Sequence, residues 1–458
     1  MTEQDLISVG PEQNAAVASL QIEPLSSLAS GVAITLAARL LILGGSLGSS
    51  VIVGRWLGPE GLGALAVLNV TVALASQLGG AGLPSAATYF IAKDRSAFAS
   101  AWANAIGFAL TAGTLAAAVV VILAEVKPEI FGGVPPQLVV IVSISIPFQL
   151  LTLLGLNALL AIDRIKLMNV LDSVMSVLVL ANTIAVLVIW RHKLGTLVGF
   201  NTGATIAISL LVVWLVGRRA QESGRLRPDF NLLRRMLAYG LKFYVSIVAG
   251  VVIFRADLLI VNRFRGANEA GVYAVASQFS FLLLILPAVI GSLLFPRVAS
   301  RQHRAAAEYT VEVTRHTSFV MVIVCLGAAA ASFALPLVYG HRFADATVHL
   351  LILLPGMFFV SIESVLVQHF NGTRLPAAIP GFWIVTMIVN LGLNLALVPA
   401  WGARAAAANS SLSYALIFIL VTSYFCRKTG YRPVQIFLLQ KNEFRDLFAR
   451  FRGRVFAG

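Results

Sequence analysis

Arg55-Trp56-Leu57-Gly58-Pro59-Glu60-Gly61-Leu62-Gly63-Ala64-Leu65-Ala66-Val67 closes one long apolar run and opens the next. The pattern returns, 208 residues on and without a gap, as Arg263-Phe264-Arg265-Gly266-Ala267-Asn268-Glu269-Ala270-Gly271-Val272-Tyr273-Ala274-Val275. Five of the thirteen positions are identical, and Trp56 faces another aromatic, Phe264. An internal repeat decides architecture before any single motif does. Here it predicts two similar helical bundles in tandem, a common transporter design.

The surrounding composition supplies the solvent for those bundles. The chain has 458 residues, 58% hydrophobic and 12% charged, where a soluble protein usually carries about twice that charge. Apolar runs of ~20 residues read as membrane helices. They are continuous rather than alternating, which disfavours a transmembrane β-barrel. Twelve runs can be drawn between residues 31 and 426, six on either side of a basic segment, 217–240. The expected fold is therefore an all-α polytopic membrane protein of about twelve transmembrane helices. The expected divisions are a mobile cytoplasmic tail (1–30), an N-terminal six-helix lobe (31–216), the basic linker (217–240), a C-terminal six-helix lobe (241–426) and a basic amphipathic tail (427–458).

Net charge is +14. In a soluble chain this would suggest nucleic acid; here the positive-inside rule accounts for it. With the N-terminus in the cytoplasm, 24 of the 34 Lys and Arg fall on the cytoplasmic side and eight outside, Arg39 and Arg255 lying within spans. Both termini are thus expected in the cytoplasm. Six spans per half is an even number, so the repeat is parallel rather than inverted. After the last span, Phe437, Phe444, Leu447, Phe448, Phe451 and Val455 recur at helical spacing among Lys441, Arg445, Arg450, Arg452 and Arg454. That pattern suits a helix lying on an anionic membrane face, or a basic topology anchor.

Enzyme signatures are missing. There is no phosphate-cradling Gly-x-x-x-x-Gly-Lys-Ser/Thr and no His-Glu-x-x-His among the six His. His341 and His349 have no Cys or carboxylate at ligand spacing, and Cys325 and Cys426 are far apart, so neither metal, cofactor nor disulfide framework is expected. Residues 1–30 carry four acids and no Lys or Arg, unlike the basic start of a signal peptide.

What remains is charge inside the membrane, where ionisable groups are costly and mark function by default. Arg39 lies eight residues into its span, ~12 Å along the helix, and Arg255 seven residues before Asn262, ~10 Å from that helix end. Arg255 and Asp257 are two apart, so on a regular helix they point about 200° away from each other and face different surroundings. Glu363 shares a stripe with Val367 and Asn371, flanked by Ser364 and Gln368; it suits a hydrated path, a coupling cation or plain interhelical hydrogen bonding. Asp172 sits near a span end, and Gly44, Gly45 and Gly48 suit close helix packing. In the repeated turns, Arg263 suits a lipid phosphate, while Arg55 suits either that or an anionic substrate at the mouth of a cleft.

Several stretches resemble the polysaccharide flippases, the lipid-linked oligosaccharide translocases of the multidrug/oligosaccharidyl-lipid/polysaccharide exporter superfamily. Arg55-Trp-Leu-Gly-Pro-Glu-Gly-Leu-Gly63 is similar to the family's turn after the first helix. Phe254-Arg255-Ala-Asp257-Leu-Leu-Ile-Val261 with Glu269-Ala-Gly271-Val-Tyr273-Ala-Val-Ala-Ser-Gln278 is similar to the opening of its second lobe. Asn390-Leu-Gly-Leu-Asn394 through Pro399-Ala-Trp-Gly402 is similar to its eleventh-to-twelfth helix joint, with Arg404 standing where Gly is frequent. The resemblance implies two lobes around a central cleft, alternating access, and a sugar chain on polyprenyl pyrophosphate as cargo. Buried arginines can hold such an anion by charge-assisted hydrogen bonds. The implied assignments are Arg39, Arg255 and Arg55 for the substrate anion and Asp257 and Glu363 for coupling or gating, with no catalytic residue, metal or cofactor. Implied partners are the lipid-linked oligosaccharide, membrane lipids, and a polysaccharide polymerase and glycosyltransferases; the implied place is the inner membrane. The alternatives are a multidrug and toxin extrusion antiporter, whose cationic cargo Arg39 and Arg255 would repel, a glycan polymerase or ligase, which needs a larger outer loop, and a non-transporting scaffold.

Overall fold

The two copies of the repeated turn fold as sharp bends inside very long helices. The structure, a computed structural model, describes residues 25–373 and 376–437, and among them the regular elements are all helical. In chain order the α-helices are α1 (Leu25–Gly79), α2 (Leu83–Lys93), α3 (Phe98–Val126), α4 (Pro136–Ser143), α5 (Ser145–Ala161), α6 (Ile165–Thr183) and α7 (Leu194–Glu222). Then follow α8 (Phe230–Leu282), α9 (Ile285–Ala299), α10 (His303–Ser332), α11 (Leu335–Tyr339), α12 (Asp345–Gly372), α13 (Ala378–Thr429) and α14 (Pro433–Phe437). Nine helical stretches among the described residues are long and apolar enough to cross a membrane. Three of them, Ala38–Gly79, Tyr244–Ala299 and Ala378–Thr429, run to 42, 56 and 52 residues. One crossing needs only ~20.

Each of these three is broken by a glycine: Gly58 (φ 69°, ψ −173°), Gly266 (φ 82°, ψ 172°) and Gly402 (φ 64°, ψ −148°). A side chain is all but excluded from that backbone region, so glycine here is a geometric requirement. Pro59 restarts the helix after Gly58, where its missing N–H costs nothing.

The bends bring the two halves into contact. A Cβ on Gly63 would strike the carbonyl oxygen of Ala267, and one on Gly271 would strike that of Pro59. Gly63 and Gly271 are equivalent in the repeat, as are Pro59 and Ala267, so each contact is the mirror of the other under the 208-residue shift. Reciprocal contacts of this kind are what a two-fold relation produces. The same shift holds outside the quoted window. Gly54 leaves room for the Tyr339 ring, while Asn262 donates from Nδ2 to the Phe131 carbonyl at 2.6 Å. Gly54 maps to Asn262 and Phe131 to Tyr339.

Apolar side chains gather into a core within each half and one at the joint. The N-terminal core includes Leu83, Trp102, Leu150, Val212 and Met236. The C-terminal core includes Val311, Ile362, Phe370, Phe418 and Phe425. The joint, where α1 crosses α8, is filled by Val53, Leu62, Val261, Tyr273, Val275 and Tyr339. Smaller glycine contacts tighten individual pairs: Gly45 of α1 lies against Ser176 of α6, and Gly48 against Leu180.

Some boundaries differ from the sequence expectation. The first helix starts at Leu25, inside the stretch read as a tail. Of the basic linker 217–240, only residues 223–229 are non-helical. Asp229 caps α8 by accepting from the amides of Asn231 (2.9 Å) and Leu232 (3.1 Å), and Asn104 grips its backbone, donating to O at 2.7 Å and accepting from N at 3.0 Å. A charged segment is thereby held by side-chain caps against the N-terminal half. Arg404 meets Asp345 at 3.5 Å on an exposed surface. The basic amphipathic helix expected after residue 437 lies outside the described residues; Phe437 itself closes α14 and packs on Phe418 with 5.2 Å between ring centroids.

Candidate functional site

Between the halves lies a cavity of about 430 Å³. α1 contributes Ser46, Ser49, Ser50 and Asn69, α5 Gln149, α6 Ser176, α7 Asn201 and Thr205, and α8 Phe254, Arg255, Asp257, Ser277 and Gln278. Arg255 and Asn69 each lie eleven residues from the bend of their own helix, ~16 Å at 1.5 Å per residue, about halfway through a bilayer core of ~30 Å.

Arg255 is the cation of this cavity. Its guanidinium opens onto the space and sits 4.8 Å from the centre of the Phe281 ring, a cation–π arrangement that holds the planar group without consuming its hydrogen bonds. Phe254 beside it packs on Phe281 (5.8 Å), Tyr414 (5.2 Å) and Trp383 (6.2 Å), an aromatic wall behind the charge. Asp257 borders the same cavity but is only 2% exposed, and its carboxylate is engaged within the protein. Its carboxylate accepts from the Tyr273 hydroxyl, from Ser410 Oγ at 3.0 Å and from the Leu258 amide at 2.7 Å. It acts on Arg255 through the field only, without an ion pair. Arg255 therefore keeps a guanidinium fork that is unpaired among the described residues, facing a cavity.

The other sequence candidates stand elsewhere. Arg39 is exposed, within electrostatic reach of Asp172 on the neighbouring α6, and off the cavity lining. Arg55 donates from Nε to the carbonyl of Val338 (2.6 Å) and from Nη2 to that of Leu337 (2.8 Å). These belong to the last turn of α11, where helix carbonyls lack intrahelical partners. An arginine of one half thus clasps a helix end of the other. Arg263, its repeat partner, lies 5.4 Å from the Phe264 ring centre instead. Glu363 is 2% exposed inside the C-terminal half, its Oε1 without a hydrogen-bond partner among the described residues. Of its stripe, Gln368 accepts from Asn371 at 3.2 Å and Ser364 donates to the Ser361 carbonyl at 2.8 Å.

The cavity ends where the halves touch at the bends. Toward the other end, Gln278 Nε2 donates to Ser46 Oγ at 3.2 Å across the joint, and Tyr239 stacks on Tyr89 at 4.5 Å. A larger cleft of about 1150 Å³ opens at the opposite surface of the C-terminal half, among His303, Arg304, Tyr424 and Lys428. Its lining among the described residues includes neither Arg255 nor any residue of the N-terminal half.

Sequence reasoning missed the amides: Asn69, Gln149 and Asn201. The signal was present as polar residues on one helix face within apolar runs, Ser145 with Gln149 and Asn201 with Thr205, each pair four apart.

Residues 28–302 match the family model described as polysaccharide biosynthesis protein. The chain belongs to that family. Among relatives of the polysaccharide biosynthesis proteins, a succinoglycan biosynthesis transport protein of Rhizobium meliloti is 28% identical over 314 residues, 64% of this chain and 59% of that one. A probable low-salt glycan biosynthesis flippase of Haloferax volcanii is 22% identical over 203 residues, 43% of each chain. The chain thus matches about half the length of these two relatives. Among solved structures, a lipid II flippase in an inward closed conformation superposes with a TM-score of 0.71, covering 88% of each chain at 15% identity. An inward-facing multidrug resistance transporter of the MOP superfamily gives 0.64, covering 87% of this chain and 98% of that one at 12% identity. At such identities the likeness concerns the fold: two lobes around a central cleft.

Proposed function

We propose that this member of the polysaccharide biosynthesis proteins is a membrane transporter, not an enzyme. It carries a polyprenyl-pyrophosphate-linked oligosaccharide from the cytoplasmic to the outer leaflet by alternating access, in the inner membrane. The observation that carries the reading is Arg255: an unpaired guanidinium opening onto a cavity between the lobes, near mid-membrane. A cation held within the membrane without an ion pair is expensive, and a pyrophosphate group is the partner that suits a planar fork of donors. The names of the relatives and the fold of the lipid II flippase support the same class.

In this reading the three bent helices each cross twice, so nine stretches make twelve crossings, and the bends face outward with both termini in the cytoplasm. The cavity is then closed to the outside. Arg55 serves that closure by clasping α11, and Arg39 with Asp172 stands at the cytoplasmic end of the N-terminal lobe. We keep Asp257 and Glu363 as coupling or gating candidates, Asp257 because it ties three crossings together. A polymerase and glycosyltransferases of surface-glycan assembly remain proposed partners.

The test is export of a surface glycan in cells depending on this chain. Arg255→Ala should abolish export with unchanged protein in the membrane, and Arg255→Lys should restore only part, since an ammonium lacks the fork. Normal export by Arg255→Ala refutes the reading. The second reading, a multidrug antiporter, is favoured by the 0.64 superposition and by 28% identity over 142 residues to a multidrug resistance protein of Pectobacterium atrosepticum. Efflux of a lipophilic cation by the purified, reconstituted chain would support it; the open Arg255 guanidinium opposes it, since the Asp257 carboxylate beside it is already taken up by hydroxyl and amide donors.

A further inference from the structure

The shift of 208 residues that relates the lobes also shows where they differ. Pro147 of α5 maps to Pro355 of α12, and Asn201 and Thr205 of α7 map to Asn409 and Ser413 of α13. Even a local bond is repeated: Thr205 Oγ1 donates to the Asn201 carbonyl at 2.9 Å, and Ser413 Oγ to the Asn409 carbonyl at 2.7 Å. Against this shared frame, Gln149 maps to Met357 and Asn69 to Ser277. Met357 is fully buried in the joint core. In the N-terminal lobe, by contrast, Gln149, Asn69, Asn201 and Thr205 line both the central cavity and a side pocket of about 150 Å³ that continues it. The scaffold therefore works with a methionine where this lobe spends an amide.

Asn201 Oδ1 accepts from Asn182 at 3.4 Å, but two of the amides are left over. Among the described residues Gln149 Oε1 is buried without a partner, and the Asn69 side chain forms no hydrogen bond. Free amides deep in membrane-spanning helices are costly unless something polar occupies the space they face. The wall carries no charge: its groups are carboxamides and hydroxyls, each able both to donate and to accept. A sugar hydroxyl has the same dual character. A carboxylate placed there would be desolvated, and the lining of the side pocket offers it no cation.

We infer that the side pocket of the N-terminal lobe is a subsite for a neutral sugar, in which Gln149 and Asn69 with Asn201 and Thr205 hydrogen-bond ring hydroxyls while Arg255 holds the pyrophosphate. The inference rests on the flippase reading and adds the substrate class: a glycan whose lipid-proximal residues are uncharged. A site built to bond hydroxyls discriminates strongly against a ligand that leaves its polar groups unpaired or inserts a charge.

The experiment compares three lipids on the full-length chain in nanodiscs: a polyprenyl pyrophosphate without sugar, the same lipid bearing one neutral hexose, and the same lipid bearing one hexuronic acid. The hexose lipid should bind about tenfold tighter than the bare lipid, and the hexuronate lipid no tighter. Gln149→Met and Asn69→Ser install the residues that the other lobe carries. Each should remove about fivefold or more of the hexose gain and leave bare-lipid affinity unchanged, which also reports that the protein is folded. A hexose gain that survives in the double variant overturns the subsite, and so does an equal gain from hexuronate. Bare-lipid binding unaffected by Arg255→Ala would instead refute the anion reading, while the comparison of hexose with bare lipid still decides the subsite.

Discussion

Replacing Gly63 by alanine should push the two lobes apart at the bends. The added Cβ would be driven into the Ala267 carbonyl and against the Gly271 amide, backbone atoms that cannot rotate away as a side chain would. Overpacking of a close contact costs typically 1–3 kcal/mol. Here the strain is relieved if the helices separate, so it falls on the closed state alone. About 2 kcal/mol of differential strain shifts a closed-to-open equilibrium ~30-fold. The assay is labelling of Ser46→Cys, which lines the cavity, by a membrane-impermeant thiol reagent added on the side of the bends. Cys325 and Cys426 are first replaced. Gly63→Ala should raise the labelling rate by one to two orders of magnitude, and Gly271→Ala should do the same because its added Cβ meets Pro59 in the reciprocal contact. The double variant should add little, since both substitutions relieve their strain by one separation. Gly44→Ala is the control, because nothing lies within 4 Å of its added Cβ. Unchanged labelling in both Gly63→Ala and Gly271→Ala, in protein that remains folded, would refute the claim that this crossing holds the cavity shut.

Arg55→Ala removes two charge-assisted hydrogen bonds to α11 at an exposed site, so it should raise the same labelling by about fivefold, whereas Arg263→Ala, which clasps no helix end, should not. Asp257→Leu strands the buried hydroxyls of Tyr273 and Ser410 and should lower stability by about 2–3 kcal/mol, read as thermal unfolding in detergent; Asp257→Asn keeps an acceptor and should lose less. Gly402→Ala forces a positive φ on alanine and displaces the Glu269 carboxylate, which accepts from the Ala403 amide at 2.6 Å and meets Arg265 at 2.9 Å, so it should destabilise by more than 1 kcal/mol in the same assay.

Which parts of this were legible in the amino-acid sequence follows from the range of each signal. The class of fold rests on uninterrupted apolar runs, and the tandem lobes on the repeat of 55–67 at 263–275; both are one-dimensional patterns. That Arg255 and Asp257 form no ion pair needed only helical periodicity, though both border one cavity. What could not be read is any fact that depends on which helices meet. Arg55 is one of two equivalent arginines, and nothing near it in the chain says that its partners are carbonyls 282 and 283 residues away. The linker 217–240 reads as a loop because it is polar and basic; Asn104, more than a hundred residues earlier, supplies the contact that holds Asp229 at the start of α8. Glycine at positions 63 and 271 reads as part of a turn, yet lies past the bend, on the helices themselves, where it sets how closely two lobes approach.

Two-fold scaffolds have a particular consequence for reading function. A residue needed to bend a helix or seat one helix on another is needed twice, and the shift of 208 finds it twice: Gly58 with Gly266, Gly63 with Gly271, Pro147 with Pro355. A residue that meets a substrate lying off the axis is needed once. Arg255 maps to Leu47, and Gln149 maps to Met357. Glu363 maps to Gly155, whose place is packed by Val212 and by Trp102, and Trp102 maps to Thr310. The N-terminal lobe thus pairs glycine with tryptophan where the C-terminal lobe has a carboxylate and a threonine, an exchange of volume that leaves room for a polar group in one lobe only. Departures from the repeat, not conformity to it, mark where a single asymmetric cargo or a single coupling event would act. On that criterion Arg255, Gln149 and Glu363 stand apart from the twinned residues that build the frame, and Arg55, whose arginine recurs at 263 but whose clasp does not, lies between the two groups.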